Sequence, residues 1–330
     1  MTTLKYPSTH PLLEETPKQL MQRLAWCVLT PELVTIPQNF FVHANDRAQF
    51  WQSFKREVER NTQEKWIDKL YQDIEQLKTF RLGDLFECFI NFIFSVHPDY
   101  QVIERNLQVI VDGVTLGELD LLVQNKNNHS LLHIEMASKF YLNIPWMGKD
   151  FWVGSNVKDR LDLKLDRLIH HQLALSSHPA MLHWLAERNL PKAQACSLLR
   201  GQLFHSFSSM SERMKLSDTG STPDSQVRNS FKALSATAVW ATSEELEQGL
   251  QSLGQSTEQL SVVRLEKFQW LGLCDFNNTP SKLSDLLEQG VAKRPCILRI
   301  NADNEDEFSV FWLPSDWPDK VNNEYPDPLS

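Results

Sequence analysis

Two runs of apolar, strand-forming residues each carry a carboxylate where a core residue belongs, and no other feature constrains the chain as much. In Gly117-Glu118-Leu119-Asp120-Leu121-Leu122, Asp120 interrupts a buried-strand pattern. In Leu131-Leu132-His133-Ile134-Glu135-Met136-Ala137-Ser138-Lys139, the intruders are Glu135 and Lys139. A buried unpaired charge costs several kcal/mol unless it meets a cation or takes a proton. The side-chain period of two sends Glu135, Ala137 and Lys139 to one face. Two carboxylates on neighbouring strands can share a divalent cation through oxygen ligands, and a nearby ammonium can stabilise developing charge or orient an attacking water. The same residues admit a metal-free arrangement in which Lys139, or an arginine such as Arg105, satisfies both acids.

Around these runs the periodicity predicts an ordered series of elements. Residues 17–97 read as helical, with breaks near Pro31, Pro37 and Asn45 and a charged stretch from Arg47 to Lys78. The last of these helices places Leu82, Leu85, Phe86, Phe89, Ile90 and Ile93 on one face, with Glu87 at its flank and Pro98 beyond its end. Three strands are expected over about 101–111, 116–124 and 130–142, joined by Asp112-Gly113 and by Asn125 to Asn128, which suits an antiparallel meander. A loop from Gly148 to Gly154 leads to a helix expected over about 157–175, with Ser155 or Asn156 as its N-cap. A helix near 180–188 and a strand near 195–207 complete the group. The stretch 208–232, rich in Ser, Thr and Asp, reads as a mobile loop. Beyond it the pattern alternates strands near 237–242, 261–265, 296–301 and 308–313 with helices near 244–253 and 282–288. The expected organisation is a helical lead-in over 1–79, an α/β core over 80–207, a polar loop over 208–234 and a C-terminal α/β extension over 235–330.

Composition narrows the function. A net charge of -9 argues against coating nucleic acid by bulk electrostatics but leaves room for a metal-dependent enzyme, which needs a carboxylate cluster. The five cysteines form no CxxC pair, so neither a disulfide framework nor a thiolate zinc site is expected. No window of eighteen apolar residues and no signal-like N-terminus is present, so no membrane span is expected and the cytoplasm is the expected compartment. Phosphate-binding Gly-rich loops and the Gly-x-Ser-x-Gly elbow are missing from the sequence, which sets aside nucleotide hydrolysis and serine esterase chemistry.

The order of elements (a helix with Glu87, a strand, a strand ending in Gly-x-Leu-Asp, a strand with Glu135 and Lys139, a helix, a strand) resembles the common core of the PD-(D/E)XK nucleases. Arg81-Leu82-Gly83-Asp84-Leu85-Phe86-Glu87 is similar to their first-helix motif. The resemblance covers residues 80–207. The whole chain, with Gly154-Ser155-Asn156-Val157-Lys158-Asp159-Arg160-Leu161-Asp162-Leu163-Lys164-Leu165, also resembles a bacterial family of unknown function grouped with that superfamily. The resemblance implies a restriction-endonuclease-like core, a central mixed sheet flanked by helices. It also implies Mg²⁺ or Mn²⁺ as cofactor and phosphodiester hydrolysis, with DNA as the nucleic-acid partner. It further implies Asp120 and Glu135 as metal ligands, Glu87 as an accessory ligand or water-orienting group, and Lys139 as the catalytic cation. One position departs from the pattern: the lysine usually follows the acid by two residues, where Ala137 stands, and Lys139 lies roughly 13 Å along the strand from Glu135. Arg160 and Lys164, one helical turn apart, either face a phosphate strand or form a solvated face against Asp162 and Asp166. A homodimer is one arrangement the resemblance allows, since many nucleases cut both strands as symmetric pairs. The alternative function is an inactive nuclease fold that binds nucleic acid or protein.

Overall fold

A computed structural model describes residues 10–60, 63–146, 149–210, 238–273, 278–290, 292–301 and 307–326. By density of contacts the chain divides into two compact units, Met1–Ser138 with Asp166–Gly201, and Lys139–Leu165 with Gln202–Ser330.

The first unit begins with four helices, α1 (Pro17–Leu29), α2 (Ala44–Arg60), α3 (Gln63–Glu75) and α4 (Leu82–Val96). A capping box in which Thr16 and Gln19 satisfy each other's backbone N–H groups, with Pro17 at the first helical position, starts α1. Nine of the fifteen residues of α4 are buried, Phe86, Phe89, Phe92 and Phe94 among them, so this helix is a core element rather than a surface one. The meander follows as expected: β1 (Tyr100–Val111), β2 (Val114–Asn125) and β3 (Leu131–Trp146) pair antiparallel in sequence. The β1–β2 turn has Asp112 at φ 49° and Gly113 at φ 78°, the doubly left-handed geometry that closes a two-residue hairpin and that Asp-Gly supplies at least strain. The helix α6 (Pro179–Glu187) and the strand β5 (Ala193–Ser206) complete the order β1-β2-β3-β5. Val109, Leu119, Leu122, Leu131, Leu175, Met181 and Leu185 form a buried cluster beneath this sheet.

In the second unit β4 (Lys149–Val153) pairs antiparallel with the distal half of β3. The order then runs β5, β6 (Val239–Ala241), β10 (Glu307–Trp312), β9 (Cys296–Asn301), β7 (Ser261–Leu265) and β8 (Ser281–Lys282). Here β5–β6 and β6–β10 are parallel and the other pairs antiparallel. Helices α7 (Ser243–Ser252), α8 (Leu283–Glu288) and α9 (Trp317–Glu324) belong to this unit. The mixed pairing flanked by helices bears out the α/β expectation.

Three local expectations are corrected. The segment from Gly148 to Gly154 holds β4 rather than loop alone, because Phe151 and Trp152 alternate against Ile144 and Asn143. The helix expected over 157–175 begins only at Leu161 and is broken, with α5 (Leu161–Arg167) followed by a π-turn (Leu168–Gln172) and a 3₁₀ turn (Leu173–Ser177). Asn156 does cap, but its Oδ1 accepts the N–H groups of Lys158 and Asp159 in a separate turn upstream of the helix. Most of the expected polar loop over 208–234 lies outside the described residues.

Candidate functional site

The register of β2 on β3 pairs Leu121 with Ile134 and Leu122 with His133. Asp120 lies one residue past the last of these pairs, beside the stretch of β3 that carries Glu135. Asp120 is fixed there by its own strand partner: its Oδ2 accepts the Met136 N–H at 2.8 Å. Asp120 is half-buried, whereas Glu135 is only 1% exposed.

Glu135 is held from two sides. His133 Nε2 lies 2.8 Å from Oε1, and the Gln172 amide N–H donates to Oε2. The far side of the imidazole, Nδ1, lies 3.3 Å from Ser176 Oγ, whose hydroxyl donates to the Leu173 carbonyl at 3.0 Å. His133 and Ser176 are 0% and 2% exposed, so this side of the network is enclosed, whereas Gln172 is half-buried. The broken helix explains how it is assembled. A backbone bond from Leu173 N–H to Leu168 O spans five residues, widening the turn, and the following 3₁₀ turn tightens it. Gln172 and Ser176 therefore both reach the His133–Glu135 face. His133 is a hydrogen-bonded core residue, and the sequence gives no sign of Gln172 or Ser176, whose placement depends on the helix irregularity.

Lys139 belongs to the second unit and makes an ion pair there: its Nζ lies 2.5 Å from Asp159 Oδ2, with both side chains about one-third exposed. The Tyr141 hydroxyl donates to the other oxygen of Asp159 at 3.2 Å. Burial, reinforced by the Asp159 charge, pushes the Tyr141 phenol well above its ordinary value. Asp159, which falls within the segment expected to be helical, instead organises Lys139 and Tyr141 ahead of α5. Arg160 forms a two-point pair with Asp162, Nε to Oδ1 at 3.0 Å and Nη2 to Oδ2 at 2.5 Å, and its guanidinium lies 4.9 Å from the Phe151 ring centre. The Arg160 hydrogen bonds hold the Asp162 carboxyl below the usual range. Lys164 sits one turn on, in α5, with its backbone N–H on the Arg160 carbonyl.

Glu87, on α4, lines a cleft of about 570 Å³ with Asp84, Lys78, Arg81, Asn91 and Arg105. Arg105 donates to the Asn91 carbonyl at 3.3 Å, and Thr79 donates to Asp84. Among the described residues no group of three or more His, Cys, Asp or Glu side chains is arranged to hold a metal ion. Asp120 and Glu135 nevertheless match the donor set that Mg²⁺ takes from proteins, one or two carboxylates completed by water and substrate oxygens. Cys27, Cys88, Cys196 and Cys296 are buried free thiols, and burial pushes Cys27 and Cys88 up to about 12, which makes them poor nucleophiles. Cys274 lies outside the described residues. No described helix is long and apolar enough to cross a membrane.

Comparison with the curated proteins and with the solved structures returns no match. A family model described as a domain of unknown function, DUF1853, matches residues 22–304. The match spans most of the chain, so the protein belongs to the DUF1853 family.

Proposed function

We propose that the protein is a metal-dependent nuclease of the PD-(D/E)XK kind, hydrolysing phosphodiester bonds of DNA in the cytoplasm. One observation carries this reading. Two acidic residues, Asp120 and Glu135, lie close together on adjacent strands, the Asp120 carboxylate accepting the N–H of Met136, the residue next to Glu135. Two carboxylates brought close together repel each other, and a shared divalent cation removes that repulsion. Bound there, Mg²⁺ or Mn²⁺ would supply a Lewis acid for the phosphate and lower the pKa of a water nucleophile.

The chain's own residues have separate tasks. The Met136 N–H sets the Asp120 rotamer, and His133 and Gln172 set that of Glu135. Lys139, paired with Asp159, keeps the role of catalytic cation that the resemblance implies. Glu87 acts as the accessory carboxylate. Arg160 and Lys164 bind the phosphate backbone, Arg160 exchanging Asp162 for a phosphate of similar two-point geometry.

A second reading, a nuclease fold that binds nucleic acid or protein without cutting it, is favoured by one specific feature. Ala137 occupies the usual lysine position, and Lys139 is committed to Asp159. Cleavage of plasmid, single-stranded DNA and RNA in Mg²⁺ and Mn²⁺, by the native chain and by Asp120→Ala, Glu135→Ala and Lys139→Ala, separates the two. Cutting that depends on metal and is lost in all three variants supports the nuclease. Retention of DNA by a native chain that cuts nothing supports the binding module, and equal cutting by every variant refutes both site assignments.

A further inference from the structure

We propose that the π-turn Leu168–Gln172 is a device for presenting Glu135 to a divalent cation: through it, Gln172 and the Ser176–His133 pair act as positioning residues for that carboxylate. The inference rests on the nuclease reading and extends it to residues outside the carboxylate set.

Three observations converge on it. A glutamate side chain has three rotatable bonds, yet here each carboxylate oxygen has its own partner, Nε2 of His133 on Oε1 and the Gln172 amide on Oε2. The imidazole is itself oriented from behind by Ser176 Oγ at 3.3 Å, and Ser176 is anchored on the Leu173 carbonyl. The His133–Ser176 pair is buried next to Leu122 and Leu175 of the apolar cluster, where low polarity strengthens its hydrogen bonds, while Gln172 reaches Glu135 from a half-buried position.

The helix irregularity is what makes the arrangement possible. Gln172 and Ser176 are four residues apart, and the segment between α5 and α6 changes from π to 3₁₀ winding between them. Local departures of this kind carry a conformational cost and recur at functional sites, because they aim a side chain that regular winding would direct elsewhere. A helix serving only to cover the sheet has no need of one. Outer partners that orient a ligating carboxylate typically govern metal affinity by roughly 10–100-fold when removed.

The test is Mn²⁺ binding to the full chain, by calorimetry and by the loss of free-ion electron paramagnetic resonance signal. It compares native protein with Asp120→Ala, Gln172→Met, His133→Leu and His133→Gln, each with its metal-free melting temperature. Gln172→Met and His133→Leu are expected to bind Mn²⁺ roughly 10–100-fold more weakly. His133→Gln, which returns an N–H donor near the position of Nε2, should recover most of that loss even if it melts lower than the native chain. Native-like binding by Gln172→Met, with Asp120→Ala unable to bind, overturns the positioning role and leaves the metal site standing. Binding by native and Asp120→Ala chains that is equal, or absent from both, overturns the metal reading and the positioning role with it. Should His133→Leu fail to fold, the Gln172→Met and His133→Gln pair decides the matter alone.

Discussion

Asp159 offers a sharp test of how the Lys139 region is held. Its two oxygens have different partners: Oδ2 faces the Lys139 ammonium and Oδ1 accepts the Tyr141 hydroxyl. Asp159→Asn removes the charge but leaves an oxygen for Tyr141. Because the Lys139 and Asp159 side chains are 33% and 32% exposed, solvent screens the ion pair, and its loss should cost about 0.5 kcal/mol. Asp159→Ala also strands the hydroxyl of Tyr141, a residue only 1% exposed, which adds about 1–3 kcal/mol. The two variants should therefore differ by about 1–3 kcal/mol in urea unfolding, as a shift in midpoint at constant slope. In a Tyr141→Phe background that difference should vanish, since the group left unsatisfied is gone. Equal losses from Asn and Ala in the native background would refute the reasoning and mean that the ion pair, not the phenol, dominates at this position.

Three other outcomes follow from particular contacts. Burial holds the His97 imidazole below its ordinary 6.5, against the opposing pull of the Phe50 carbonyl and Asp99. Below about pH 6.5 the unfolded chain then binds more protons than the folded one, so melting temperature should fall as pH drops from 7.5 to 5.5, and His97→Gln should flatten that slope. In the second unit a Cβ on Gly249 would lie 2.3 Å from Phe207 Cε1, a ring that is fully buried, so Gly249→Ala should lose about 1–3 kcal/mol, read by chemical denaturation. Trp240 Nε1 donates to the Asn143 carbonyl at 2.8 Å, and Trp240→Phe should lower stability by about 0.5–1.5 kcal/mol from that bond, beyond the packing loss of the smaller ring.

Much of the fold was legible because its elements are long and strongly patterned. The α4 stripe, the Asp112-Gly113 hairpin and the three β-rich runs are local signals, and the structure follows them closely. What escaped depends on tertiary context. The 157–175 segment has a helical pattern throughout, yet it winds as α, π and 3₁₀ in turn, which propensity does not encode. Short elements such as β4 and β8 gain their strand geometry from neighbours rather than from their own composition. At the candidate site, the anomaly of carboxylates inside apolar strands was visible in the sequence, and the pairing of β2 with β3 brings the two acidic residues onto adjacent strands. The pairing of Lys139 with Asp159 required a contact across twenty residues that no local pattern marks. The same holds for Gln172 against Glu135, thirty-seven residues apart.

The most direct measurement is an anomalous difference map from crystals of the protein soaked in Mn²⁺. A shared-cation site gives a peak about 2.1 Å from one oxygen each of Asp120 and Glu135, with Gln172 and His133 still bracketing the glutamate. Crystals that show no peak there, with both Glu135 oxygens still on His133 and Gln172 and Asp120 still on the Met136 N–H, would contradict it.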